Sequence, residues 1–280
     1  MHTPLDLRAM KGKQKEAWSS GDYTVIGTTL TLTGELLAES CDLNYDEIVL
    51  DVAAGNGNAT LAAARRGCKV TSTDYVCALL ERGRERARAE HFDVAFQEAD
   101  AEALPFEDAT FDAVLSTFGV MFTPDQKQAA AELARVCRPS GRIGLTCWTP
   151  EGFVGQLFST LGRYLPSPDG AARPSDWGIK GHLHELFIHH AADVRAIPRQ
   201  FNFRYRSARH FIEVFRDWYG PMHKAFKALS EDQADRLTRE LTELLVRMNR
   251  SGKETPLVVP AEYLEIVITR NRRPFSKETA

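Results

Sequence analysis

Glu47-Ile48-Val49-Leu50-Asp51-Val52-Ala53-Ala54-Gly55-Asn56-Gly57-Asn58-Ala59-Thr60 is the stretch that decides the fold. A short apolar run ends in an aspartate, and a loop of small residues with two glycines leads into a helix-forming segment. Such a loop lets backbone come close to a ligand at the carboxyl end of a strand. A second apolar run, Cys68 to Thr73, closes on another acid, Asp74. Strand, glycine loop, helix and a second strand ending in an acid describe a nucleoside-binding βαβ unit of an α/β fold.

The chemistry of the loop narrows the nucleoside. A dinucleotide loop reads G-x-G-x-x-G, its third glycine letting helix pack on strand. Counted from Gly55, Thr60 stands in that third position. Asp51 sits at the strand's end, where a carboxylate repels a pyrophosphate and suits a cationic ligand.

The arrangement Asp51-x-Ala53-x-Gly55-x-Gly57 resembles the first motif of class I S-adenosylmethionine-dependent methyltransferases, with alanine in place of the family's first glycine. That cofactor carries an ammonium and a sulfonium and no phosphate. The resemblance implies a Rossmann-like, doubly wound seven-stranded sheet with an N-terminal lid and a helical cap insertion. It also implies roles. Asp74 would accept both ribose hydroxyls, and Tyr75 would flank the adenine. Asp100-Ala101, followed by Glu102-Ala103-Leu104-Pro105-Phe106, resembles the family's adenine-binding segment. There Asp100 would accept from the exocyclic amine and the Ala101 amide would donate to a ring nitrogen, with Glu102 beside them. Phe111 to Phe122 reads as a fourth strand and its exit, where carbonyls at Ser116, Thr117 and Phe118 would receive the ammonium. Asp51, Ala53, Gly55, Gly57 and Asn58 complete the cofactor set. Alanine at 53 is expected in αR or β conformation, where glycine is not needed. Ser140, in Arg138-Pro139-Ser140-Gly141, departs from the family's Pro-Gly-Gly and is expected to be harmless. The resemblance is nearest to the type 11 subgroup, which includes quinone-biosynthesis-like small-molecule methyltransferases.

Composition agrees with a globular enzyme. The chain has 280 residues, 43% hydrophobic, enough for a substantial core. A formal charge of −3 argues against an electrostatic grip on nucleic acid or acidic lipid. No apolar run is long enough to cross a bilayer, and Met1 to Glu16 lacks a signal-peptide core. The five cysteines, at 41, 68, 77, 137 and 147, have no C-x-x-C spacing and read as reduced, mostly buried thiols of a cytoplasmic protein. The Arg/Glu-rich stretch from Cys77 to Glu90 reads as a solvated helix face.

The flanks carry the acceptor. Residues 1–40 read as lid helices, 41–148 as the cofactor core and 149–280 as substrate cap and last strands, all within one domain. Trp18 and Tyr23 either contact cofactor or acceptor or anchor the segment, while Thr28, Leu32, Leu36 and Leu37 read as packing. Residues 166–178 read as an irregular surface loop. Strand 194–205, helices near 208–218, 221–229 and 231–250, and strand 258–269 follow. Phe211, Phe215, Trp218 and Tyr219 form a stripe at helical spacing, either core or acceptor pocket. His210 and His223 beside it are weak candidates for a general base. The histidines at 182, 184, 189 and 190 lack the i, i+4 spacing of helical metal ligands, so no metal is expected.

These features lead to methyl transfer to O, C or N of a small, partly apolar metabolite, without nucleic-acid or membrane partners and with room for a homodimer. The N-P-P-Y type of signature is missing after the fourth strand, where Ser116-Thr117-Phe118-Gly119 stands. Two other classes stay open: an NAD(P)-dependent oxidoreductase, disfavoured by Asp51 and Thr60, and a non-catalytic S-adenosylmethionine-binding protein of the same fold.

Overall fold

The structure is a computed structural model that describes residues 6–272. Among these, seven strands form one sheet: β1 (Ile48–Val52), β2 (Lys69–Asp74), β3 (Val94–Glu98), β4 (Phe111–Thr117), β5 (Cys137–Trp148), β6 (Ala191–Tyr205) and β7 (Leu257–Arg270). Their order is β3-β2-β1-β4-β5-β7-β6. The first five run parallel, and β7 is antiparallel to both neighbours. The chain leaves β1 toward one edge and returns at β4 toward the other. The two directions part between β1 and β4, where an open α/β sheet places its ligand crevice.

Covered parallel strands need apolar side chains on both faces. Leu50 and Val49 of β1 and Ala113, Val114 and Leu115 of β4 are fully buried. On one face lie α3 (Thr31–Ser40) and α4 (Asn58–Arg65), whose Leu37, Ala59, Ala62 and Ala63 pack with Val49 and Leu115. Before them come α1 (Leu7–Trp18) and α2 (Thr24–Gly27), and after β2 comes α5 (Cys77–Ala89). The larger core gathers α6 (Gln126–Val136), α7 (Phe153–Tyr164), α8 (Lys180–Phe187), α9 (Ala208–Trp218), α10 (Gly220–Ala228) and α11 (Glu231–Met248). Local chemistry sets several helix starts: Asp125 accepts from the Gln128 amide, Ser207 from the His210 amide and Ser230 from the Gln233 amide.

Several expectations need correction. Leu32 and Leu36 are exposed, so only Leu37 of that set is core. Residues 166–178 are not wholly an irregular surface loop: Pro174–Gly178 is a 3₁₀ turn with Trp177 fully buried. Trp218 is exposed, whereas Phe211, Phe215 and Tyr219 are buried. The segment 138–141 joins the start of β5, with a register shift opposite Phe111 and Ala113. Ser140 there has φ +61°; a left-handed L-residue costs roughly 1–2 kcal/mol, so serine is not neutral at this position. A short polar tail expected after Arg270 falls largely on 273–280, outside the described residues. Four cysteines are buried and Cys77 is exposed, all five free.

Candidate active site

A cleft of about 790 Å³, its open mouth included, lies at the carboxyl ends of β1, β2, β3 and β4. Small-molecule sites span roughly 300–1,000 Å³. Each strand end contributes to its border. Ala53 and Gly55 follow β1, with Asn58 opening α4; Asp74 ends β2 and Tyr75 follows it. Asp100, Ala101 and Glu102 follow β3, and Thr117 and Phe118 stand at the end of β4. Trp18 and Tyr23 close the cleft from the N-terminal segment. These twelve residues of the proposed set line one cleft.

Three of the proposed set lie behind the cleft wall. Asp51 is fully buried, its Oδ2 accepting from the Thr60 amide at 2.8 Å and the Thr60 hydroxyl at 2.6 Å. The residue standing in the third glycine's place is therefore a polar fastener between β1 and α4. Asp51 does not line the cleft. Ser116 is also fully buried: its hydroxyl donates to the Val52 carbonyl at 2.7 Å and accepts from the Val120 amide at 3.0 Å. Gly57 caps α4 with φ +83°. His210 and His223 are elsewhere. His210 Nδ1 accepts from the Arg206 amide at 3.3 Å, and His223 Nδ1 lies 3.0 Å from the Arg216 carbonyl. Neither borders the cleft, so neither is placed to take an acceptor's proton.

The two buried acids have different surroundings. Asp74 accepts from the Gly55 amide (Oδ2, 2.9 Å) and the Val76 amide (Oδ1, 2.9 Å), and the Tyr75 amide also faces its carboxylate. Burial pushes its pKa up to about 6, opposed by those amide bonds. Asp51 is pushed to about 7, by burial first and by the Asp74 charge as a smaller contribution. Its Oδ1 is buried with no hydrogen-bond partner.

The floor is strained. Ala53 has φ +50° and Phe118 φ +53°. The expectation that Ala53 sits in αR or β is wrong: the position is left-handed, a conformation that glycine adopts without penalty and alanine does not. Phe118 is held there by its ring, stacked on Trp148 at 3.9 Å and 5°, and by its amide, bonded to the Thr146 carbonyl at 3.0 Å.

Residues that the sequence reading missed complete the border. From α1, Lys11 reaches across to Asp100 at 2.6 Å and Glu102 at 2.5 Å, while Lys15 pairs with Glu98 at 2.6 Å. Trp18 stands edge-on to Phe122 (4.8 Å), Tyr23 (5.4 Å) and Tyr219 (5.5 Å). Asn56, Phe122 and Pro124 also face the cleft. Lys11 carried no motif, and only tertiary packing brings it to Asp100. Arg86, read as part of a solvated face, instead binds the glycine loop at the Asn56 carbonyl (2.7 Å).

Known proteins share these features. Residues 50–145 match the model of a methyltransferase domain family. An uncharacterized protein of Mycobacterium tuberculosis is 38% identical over 250 residues, covering 87% of this chain and 91% of that protein. A demethylmenaquinone methyltransferase of Deinococcus radiodurans is 33% identical over 144 residues, 50% of this chain and 60% of its own. Among solved structures, phosphoethanolamine N-methyltransferase 2 of Haemonchus contortus, in complex with phosphomonomethylethanolamine and S-adenosylhomocysteine, superposes with TM-score 0.54 at 17% identity, over 85% of this chain and 52% of that one. The sheet order, the cleft at its switch point and these similarities together make the chain a member of the class I S-adenosylmethionine-dependent methyltransferases.

Proposed function

We propose that the enzyme methylates an oxygen, carbon or nitrogen of a small, partly apolar metabolite, and that the acceptor lies against the aromatic wall of Trp18, Tyr23, Phe118 and Phe122. The observation that carries this reading is the charge distribution along the cleft. Its acids and Lys11, the one lysine bordering it among the described residues, gather at the β2–β3 end, and the opposite end is lined by aromatic rings. A phosphorylated acceptor needs cationic or clustered amide donors, and Lys11 is already bonded to Asp100 and Glu102.

The cofactor-binding roles read from the sequence fit this cleft. Asp74 presents its carboxylate to the cleft for the ribose hydroxyls, and Tyr75, Asp100 and Ala101 border the adenine side. Thr117 and Phe118 border the methionine side. When bound, the cofactor supplies an electrophilic methyl group on a sulfonium. The chain's task is alignment and exclusion of water. Holding acceptor and methyl in line supplies roughly 7–11 kcal/mol of a bimolecular barrier, so no acid–base dyad is required. We further assign residues 1–40, described from residue 6, as a lid and 149–280, described to residue 272, as substrate cap and last strands within one domain. Trp18, edge-on to Tyr219 of the segment joining α9 and α10, supports a direct contact between the two.

The test is transfer of labelled methyl from S-adenosylmethionine to a panel of neutral ring-bearing phenols and enols, aliphatic amines and phosphorylated amines. Turnover confined to the neutral, partly apolar members is expected. Turnover of phosphorylated amines alone would overturn the reading.

A further inference from the structure

Two neighbouring acids and one lysine satisfy each other at the β3 edge of the cleft. Asp100 Oδ1 accepts from the Glu102 amide at 3.0 Å, and Glu102 Oε1 accepts from the Asp125 amide at 2.8 Å. The two oxygens not tied to backbone, Asp100 Oδ2 and Glu102 Oε2, both receive the Lys11 ammonium, at 2.6 and 2.5 Å. Lys11 itself lines the cleft with Tyr75, Leu79 and Ala101. Burial opposes its charge, but the bonds to Asp100 and Glu102 outweigh that and raise its pKa above the ordinary value.

The oxygen that Lys11 holds on Asp100 is the one a base amine needs, since the other is engaged by backbone. An ammonium binds a carboxylate more strongly than a neutral amine does. The amine therefore reaches Asp100 only as the ammonium gives way. The structure makes that retreat short. Glu102 is the more deeply buried acid, 8% exposed against 33% for Asp100, so Lys11 keeps a partner after leaving Asp100. Its flexible four-carbon stem and rotatable ammonium allow the shift. The helix that carries it adds little resistance, because α1 buries no residue of its own. The far end of α1 is the fitted one: Gly220 meets the Ala17 carbonyl with no room for a side chain.

We propose that Lys11 is a specificity-determining residue of the nucleoside seat, a built-in competitor that the base must move from Asp100 onto Glu102 alone. Binding of an adenine then includes the breaking of one ion pair, and binding of a base without an exocyclic amine does not. The seat's preference for adenine is thereby smaller than Asp100 by itself would give. The inference rests on the reading of Asp100 as the acid that takes the adenine amine, and adds a residue whose effect is opposed to binding.

Calorimetry with two ligands of equal charge tests it. S-Adenosylhomocysteine carries the exocyclic amine, whereas S-inosylhomocysteine has a keto oxygen in its place. Lys11→Met keeps the apolar stem and removes the ammonium. It is expected to tighten S-adenosylhomocysteine about fivefold, the weight of one partly exposed ion pair, and not to tighten S-inosylhomocysteine. Lys11→Arg keeps the charge and should bind both ligands much as the parent does. Lys15→Met removes a neighbouring charge that pairs with Glu98 away from the cleft border, and should move both ligands equally. Equal tightening of the two ligands in Lys11→Met would overturn the proposal by reducing it to net charge. Unchanged S-adenosylhomocysteine binding would overturn it, and so would weaker binding, which would make Lys11 a clamp. Asp100→Ala, measured alongside, isolates the underlying reading. If that variant leaves S-adenosylhomocysteine unchanged, the seat is misassigned; a loss there without tightening in Lys11→Met refutes the competition alone.

Discussion

The two ends of the cleft are built on different plans. At the β2–β3 end, Asp74 and the Asp100–Glu102 segment stand at the tips of adjacent parallel strands, so pairing of Asp74 with Glu98 brings them together. At the other end, Trp18 and Phe122 line the cleft and are backed by Tyr219 and Phe158, the four coming from separate segments that meet through ring contacts. The first end is specified by strand register and the second by tertiary packing. One can therefore be altered without the other, and the expected effects differ in kind.

The largest expected effect breaks the polar end. Asp74→Ala removes charge-assisted hydrogen bonds worth about 1.5–3 kcal/mol and should weaken S-adenosylmethionine at least tenfold by calorimetry; unchanged affinity would mean that Asp74 is misassigned. Next comes the aromatic end. Phe122→Ala takes away the ring edge-on to Trp18 and Phe158, and an aromatic pair is worth about 0.5–1.5 kcal/mol beyond its area. The acceptor's KM should rise about tenfold, with cofactor affinity nearly unchanged. If cofactor affinity falls equally, the two ends are not separable.

Protonation sharpens the contrast within the polar end. Both Asp51 and Asp74 have folded pKa values raised above the unfolded ones, to about 7 and about 6. The neutral form is favoured by folding, so each contribution to stability is present at acid pH and is lost as pH rises through the folded value. Binding of a cationic ligand has the opposite slope, since it favours the carboxylates. Affinity for S-adenosylmethionine should therefore climb between pH 5 and pH 7 in titrations at constant ionic strength. In urea unfolding, Asp51→Asn should gain stability over the parent as pH goes from 5 to 8, and a gain that does not grow with pH would refute the assignment of Asp51 as the titrating group.

The smallest effect concerns strain at the floor. Ala53→Gly relieves a left-handed alanine but adds chain entropy to the unfolded state, penalties of roughly 1–2 and 0.5–1 kcal/mol. A net gain of about 1 kcal/mol or less is expected in the same unfolding assay, and a net loss would mean that surrounding contacts hold the alanine without penalty.

The sequence was most legible where structure is local. The βαβ unit from Glu47 to Asp74 and the strand endings that follow showed in apolar runs and acids, because a parallel strand buried on both faces leaves few other patterns open. Asp51 was found but misread, since its distance from the strand end says nothing about which way its carboxylate points; Thr60 turned it inward. Ala53 was misread for a similar reason, φ being a property of the loop's whole path. Lys11, Asn56 and Arg86 were missed because their roles depend on contacts that cross elements, and Leu32 and Trp218 because helical spacing marks a face without saying what covers it.

One consequence follows from how α1 is fastened. Its lysines grip the polar rim, and Trp18 at its end abuts the aromatic wall. With α1 as the proposed lid, one helix would span both ends and give two ligands a single door. Release of spent cofactor and entry of fresh acceptor would then share a kinetic step, and salt, which screens the lysine pairs, should loosen the contacts of α1 at both.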